Sequence, residues 1–373
     1  MASRFKFTGK IRVNKETDRN PWIRNGTTKN GNKYVSVNLI VLPSKENRGY
    51  TEIFGAEQDS IFTRDTENES ITIDWEDRFD SEIIDSVASY RKHILNVDGN
   101  REEFITDYDF VNAIVDNISD IEGKTFTLTG QIRKNVYNGK IVDRFQIQNM
   151  YESGEDAKLG LRIEMNPFFW NKDGIDVSDF DETKKIVIDG YTSEYIDKEN
   201  NGVYVPQRVV LDCKKIDFDN EKHMMILNYK LKQIGLEYVE GKVKVKKSSY
   251  KSDNYKKVNL IINYMNGAEA SEFSIDDLTD NQREAVELGL QSIEDFRPKG
   301  TAYGNRVVEY KIINFDLRDE YRDGAIDVDD TVREFEDNIY IVPKNESLED
   351  IVSETKEETK TETESFDEDD LFS

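Results

Sequence analysis

Three stretches of this chain place cations next to aromatic rings at a spacing that suits a polyanion carrying flat bases. In FKFTGKIRV (5–13), period-two alternation puts Lys6, Lys10 and Arg12 on one face and Phe5, Phe7, Gly9, Ile11 and Val13 on the other. The loop NKETDRNPWIRNGTTKNGNK (14–33) adds Trp22, Arg24 and Lys33, and Tyr34 opens the next strand on its polar face with Ser36 and Asn38. The turn RKNVYNGK (133–140) offers Arg133, Lys134 and Tyr137. A third set holds Lys244, Lys246, Lys247, Tyr250, Lys251, Tyr255, Lys256 and Lys257. Unpaired nucleic acid presents one phosphate per nucleotide and an open base face. Each stacked base contributes about 1–3 kcal/mol, and phosphate contacts add a salt-sensitive remainder. Lysines on an exposed strand also guard edges, and Trp22 or Tyr34 can pack within the protein. Recurrence of the same mixture favours binding.

Enzyme chemistry finds few residues to use. His93 and His223 are the two histidines, no elbow motif surrounds a serine, and neither a P-loop nor a dinucleotide fingerprint occurs. KKIVIDG (184–190) reads as a strand ending in a glycine bend. Asp327, Asp329 and Asp330 read as a solvated loop. The expectation is a protein with no catalytic residue, no metal site and no cofactor. With Cys213 as the one cysteine, a disulfide framework within the chain is excluded.

The elements that must position these side chains are mostly strands. Val35, Val37, Leu39 and Val41 mark the inner face of a second strand (34–42), and shorter strands are expected near 50–54 and 70–75. Thr106 and Asp109 open a helix over about 107–118, with Phe110, Val111, Ile114, Val115 and Ile118 as its apolar stripe. A long hairpin (125–150) turns at Asn138-Gly139. Gly9 and Gly130 interrupt strands and predict bends or bulges. VEGKVKVKK (239–247) echoes FTGKIRVNK (7–15), with Gly241 in the place of Gly9. It is followed by strands at 258–264, 305–317 and 338–342, and by a helix at 280–293 opened by Thr279 and Gln282. LGLRIEM, KKIVIDGYTSEYI, VPQRVVLDC and HMMILNYKL read as further strands between the copies.

This order predicts a mainly β protein: tandem OB-fold-like five-stranded barrels, each with a helix before the fourth strand, plus a disordered acidic tail. The expected units are an N-terminal barrel (1–153), a β-rich middle region (154–236) that is a degenerate barrel or an extension, a C-terminal barrel (237–343) and the tail (344–373). The formal net charge is −25, yet residues 1–36 hold nine basic and two acidic side chains, and residues 346–373 hold twelve acidic and two basic. Distribution matters more than the total for a polyanion. No apolar run approaches the length of a membrane span, and cytoplasmic residence is the default expectation. Asp367, Glu368, Asp369, Asp370, Leu371 and Phe372 make a short acidic-apolar peptide suited to a partner's apolar pocket with a basic rim.

Tandem barrels with a Phe-bearing acidic terminus resemble single-stranded-DNA-binding proteins of the replication type, most similar to those of large bacteriophages. The resemblance covers architecture and tail. It implies a protein that coats single-stranded DNA in replication or recombination and recruits replication or recombination partners through its tail. In the cellular family the tail ends in Pro-Phe. Here Leu371 precedes Phe372 and Ser373 follows it, which leaves acidic-apolar docking without the usual terminal carboxylate. The alternative from another class is a β-rich virion or scaffold protein that binds other proteins.

Overall fold

Alternation along the first strand does what its pattern requires: Phe5, Phe7 and Ile11 are buried while Lys6, Lys10 and Arg12 face solvent. The computed structural model describes residues 3–15, 20–137, 139–154, 156–170, 175–196, 198–233, 236–239, 241–245, 255–257, 259–267, 278–287, 307–316 and 338–341. The first half comprises β1 (Arg4–Arg12), β2 (Ile23–Thr27), β3 (Lys33–Leu42) and β4 (Gly49–Ala56). An excursion follows with β5 (Ser60–Arg64), β6 (Ser70–Asp74), α1 (Ser81–Ser86), β7 (His93–Val97) and β8 (Asn100–Phe104). The chain then forms α2 (Asp107–Asp116), α3 (Ile118–Ile121), β9 (Thr125–Tyr137) and β10 (Lys140–Glu152).

Five of these strands close on themselves. β1 pairs with β3, β3 with β4, β4 in parallel with β10, β10 with β9, and β9 with β1 again. Helix α2 lies between β4 and β9 in sequence and buries Phe110, Val111 and Ile114. Its start is fixed as expected: Thr106 Oγ1 accepts from the Asp109 amide at 3.1 Å. Such a cap contributes about 1 kcal/mol. Arg78 Nε donates to the Asp109 carboxylate at 3.0 Å and ties the excursion to the helix.

The second half comprises β11 (Gly160–Met165), β12 (Phe168–Trp170), β13 (Ile175–Asp176), α4 (Phe180–Thr183), β14 (Lys185–Tyr195) and β15 (Asn201–Asp212). Then come α5 (Glu221–Gln233), β16 (Leu236–Val239), β17 (Lys242–Val245), β18 (Tyr255–Lys257), β19 (Asn259–Gly267), α6 (Asp280–Glu287) and β20 (Val307–Asp316). A second ring runs through them. β11 pairs with β19, β19 with β20, β20 in parallel with β15, β15 with β14, and β14 with β12, which continues β11 past Asn166-Pro167. The expected boundary at residue 237 therefore falls between strands that hydrogen-bond to one another. Among the described strands, β11 and β15 from before that boundary and β19 and β20 from after it belong to one ring.

Two expectations are corrected. The VEGKVKVKK echo is not a second copy of β1. β16 and β17 form a separate two-stranded hairpin, and Gly241 is its turn residue at φ +83°, with open space around it. Gly9 has the opposite reason to be glycine: a Cβ there would meet the Leu42 and Pro43 backbone at 2.6 Å. HMMILNYKL is helical, not extended. Asn220 Oδ1 accepts from the Lys222 and His223 amides at the start of α5, and Leu227 and Leu231, one turn apart, are the residues it buries. The helix expected at 280–293 is described over α6 and falls between β19 and β20, while α5 precedes β19. The strand expected at 338–342 is seen as a single parallel bridge from Ile339 to Tyr204.

The two rings share one hydrophobic core. Phe7 stacks on Tyr264 at 6.0 Å, and Tyr264 meets Tyr310 at 5.0 Å. Where the β9–β10 hairpin crosses the second ring, the packing turns polar. Lys134 Nζ donates to Asp143 Oδ1 and to Gln207 Oε1, both at 2.8 Å, and the Tyr310 hydroxyl donates to the other Asp143 oxygen. Glu194 is buried beside them. Burial raises its carboxyl above the ordinary range, Lys134 offsets this in part, and Asp143 adds to it. Burial also pushes the Cys213 thiol up to about 12.

Gly130→Ala is expected to lower stability by at least ~2 kcal/mol in urea unfolding, since its Cβ would meet Gln146 O at 1.9 Å. Glu194 binds its proton more tightly folded than unfolded. Its contribution therefore declines as pH rises from the ordinary carboxylate value through the raised folded value. Glu194→Gln should stabilise the protein at neutral pH and do so less at about pH 4.5, read as urea midpoints. A difference independent of pH would contradict this.

Candidate nucleic-acid interface

The outer face of β3 gathers four of the expected residues, Lys10, Arg12, Arg24 and Tyr34, with Arg133 on the neighbouring hairpin. The inner positions of β3, Val37, Leu39 and Val41, are fully buried, so Tyr34, Ser36, Asn38 and Ile40 point away from the ring interior, although Ile40 is itself buried at 8% exposure. One edge of β3 takes β2 through residues 33–37 and β1 through residues 40–42, and the other edge takes β4. Register then sets the neighbours. Arg24, Ser36 and Phe54 lie in one row across β2, β3 and β4, and Arg12, Ile40 and Tyr50 in another across β1, β3 and β4. Four residues of β3 separate these rows, about 13 Å. Lys10 lies opposite Leu42, at the same end as Arg12.

Phe54 is the residue that sequence reading missed. It is 53% exposed in the body of a strand, and its ring meets that of Tyr34 at 5.4 Å and 30°. Alternation held the signal: Thr51, Ile53 and Gly55 are buried, which turns Tyr50, Glu52 and Phe54 outward. Tyr34 itself is half-buried and lies over Gly26, 3.0 Å from where a Cβ would stand. Arg144 was also missed. It donates to Glu52 at 2.7 Å and pairs in register with exposed Arg133. The face is thus cationic with one carboxylate on it, Glu52, while Lys33 and Glu57, 4.0 Å apart, stand at the strand end on the side of Val35 and Ile53.

Other expected residues lie elsewhere. Trp22 is only 8% exposed and belongs to the hydrophobic core, so its ring has no free face for a base. Lys134 is 4% exposed and held by Asp143 and Gln207, because its strand position faces inward between Ile132 and the second ring. Lys6 is exposed, but its neighbours are Thr129 and Arg162 rather than β3. Tyr137 is exposed at the hairpin end. Arg24 is exposed and donates to Asn20 at 3.0 Å. Lys244 is exposed on the β16–β17 hairpin, outside either ring.

Tyr255, Lys256 and Lys257 form β18, which pairs with β12 at the rim of the large sheet; nothing of their side chains is described. Lys246, Lys247, Tyr250 and Lys251, the Asp327, Asp329 and Asp330 loop, and tail residues Asp367, Glu368, Asp369, Asp370, Leu371 and Phe372 lie outside the described residues. Among the described residues, no three His, Cys, Asp or Glu side chains converge as a metal set, and no helix is long and apolar enough to cross a membrane.

No family model matches the chain, and no curated protein matches it. Among solved structures, it is similar to the wild-type single-stranded DNA binding protein of Thermus aquaticus. Identity is 5% and the TM-score 0.31, over 85% of this chain and 92% of that one. A deletion mutant of the same protein gives 7% identity and the same TM-score, over 85% and 93%. Likeness at this level carries no weight for function, which must rest on this chain's own side chains.

Trp22→Ala should cost about 3–5 kcal/mol in urea unfolding, as loss of a core ring does. Phe54→Ala should cost no more than about 1 kcal/mol, the contribution of a cross-strand aromatic pair. Equal losses at the two positions would contradict the division between core ring and surface ring.

Proposed function

We propose that this chain is a non-enzymatic single-stranded-DNA-binding protein whose primary contact surface is the outer face of β1–β4. The observation that carries the reading is Phe54, a mid-strand aromatic ring left open to solvent against Tyr34, with Arg24 in its own row and Arg12 one row on. A lone phenylalanine on a strand gains by burial. One held in the open beside arginines is placed to stack on a base whose phosphate those arginines meet. Closed five-strand rings of this connectivity follow the OB-fold plan, in which the faces of the second and third strands are the usual ligand surface. Here those strands are β3 and β4.

In this reading the path uses Lys10, Arg12, Arg24, Tyr34 and Phe54, takes Lys33 at the end of β3, and extends to Arg133 and Tyr137 on the hairpin. Lys6 serves a neighbouring face. Trp22 and Lys134 support the fold instead. Lys244, Lys246, Lys247, Tyr250, Lys251, Tyr255, Lys256 and Lys257 are the contacts proposed for the second half of the chain. The units are the first ring with its excursion (to 153), the second ring (154–343) and the acidic terminus (344–373). The terminus recruits replication or recombination partners, in the manner of the phage proteins that the sequence resembles, in the cytoplasm of a cell.

Oligothymidylate titrations at two salt concentrations test this. Phe54→Ala and Tyr34→Ala should each weaken binding by about 1–3 kcal/mol. Arg12→Ala and Arg24→Ala should each flatten the salt slope by roughly 0.7, one phosphate contact for a single strand. Unchanged affinity in both ring variants, or equal affinity for duplex DNA, would remove the reading.

A further inference from the structure

Helix α5 is amphipathic in an unusual sense, with an apolar stripe on each side. Leu227 and Leu231 are buried in the shared core. On the other side Met225 is 68% exposed, Ile226 48% and Tyr229 47%. At 3.6 residues per turn these three share about 120° of arc with exposed Lys222 and Lys232, which stand toward the two ends of the strip. Ile313 on β20 is also exposed and adjoins the helix, since Lys230 Nζ donates to its carbonyl at 2.8 Å. The helix carries three lysines and a single acid, Glu221. The exposed thioether of Met225 and alkyl of Ile226, with the partly exposed ring of Tyr229 beside them and a lysine toward each end, make a surface for an acidic peptide with apolar side chains.

The chain contains such a peptide. In residues 353–373 the large apolar side chains are Phe366, Leu371 and Phe372, and between them lie Asp367, Glu368, Asp369 and Asp370. The last described residue, Ile341, is located by backbone hydrogen bonds between its neighbours and Tyr204. Tyr204 to Asp212 rises about 26 Å along β15, and α5 begins nine residues later. The 24 residues from 342 to 365 can span up to roughly 80 Å, so the segment reaches α5 of its own chain.

We propose that Phe366–Phe372 docks on the exposed face of α5 in the same molecule. Its apolar side chains cover Met225, Ile226 and Tyr229, and its carboxylates lie toward Lys222 and Lys232. This occupant is independent of what the outer face of β3 and β4 binds, so the two readings succeed or fail separately. Docking would hold the acidic terminus on a defined surface until a partner with a better apolar pocket removes it.

The test uses the full chain with the photoreactive residue benzoylphenylalanine at position 372. Isotopically heavy and light chains are mixed before irradiation, and adducts are mapped by mass spectrometry. Adducts are expected within residues 222–232 of the same chain, with a yield that falls several-fold between about 50 mM and 500 mM salt as the charges are screened. Met225→Glu with Tyr229→Glu places like charge on an exposed helix face at little cost to the fold, which an unchanged urea midpoint would verify. This pair should reduce the adduct at least about fivefold. Heavy-to-light adducts would assign the surface to a second copy and overturn the proposal. So would adducts mapped elsewhere, no adduct, or an undiminished yield in the double variant.

Discussion

Strand β1 has two edges, and three strands share them. β9 runs along one edge from Arg4 to Lys10. The other is divided: β11 takes Arg4–Thr8 and β3 takes Lys10–Arg12. The division makes one strand a member of the first ring and a neighbour of the second, and it brings Phe7 against Tyr264 inside the joint core. Gly9 sits at the crossover, where no side chain would fit against the Leu42 and Pro43 backbone. Everything outward of β1 inherits this arrangement. Residues up to Thr8 face β11 and the second ring, and residues beyond it face β3 and the Phe54 surface.

Charge follows the same geometry. A chain with a formal net charge of −25 still exposes Lys10, Arg12, Arg24 and Arg133 on its first ring. Glu52, which points outward on β4, is paired with Arg144. Inside, polarity is kept where the hairpin crosses the second ring. Removing one partner from the Lys134–Asp143 pair would leave a buried charge unmatched, a cost of about 3–5 kcal/mol.

Much of this was legible in the chain. Strict alternation placed β1 and β3 and the faces of both, Thr106 and Asp109 placed α2, and Asn138-Gly139 placed the long hairpin. What failed had physical reasons. A run such as HMMILNYKL is apolar at both two- and four-residue spacing, and only the Asn220 cap and the Leu227–Leu231 pair separate helix from strand. Trp22 and Lys134 have the residue types of a binding surface. Their burial comes from ring closure and from contact with Gln207, 73 positions beyond Lys134. The second ring was hidden because its strands are separated by α5, by the β16–β17 hairpin and by α6, while a chance likeness around Gly241 suggested a different frame.

The shared strand also orders events during synthesis. β1 precedes every strand it pairs with, and its first half stays half-dressed until residues 125–137 and 160–165 have left the ribosome. Until then Phe5 and Phe7 have no complete interior to enter, and a cationic, apolar-backed ribbon is what the emerging chain presents to its surroundings.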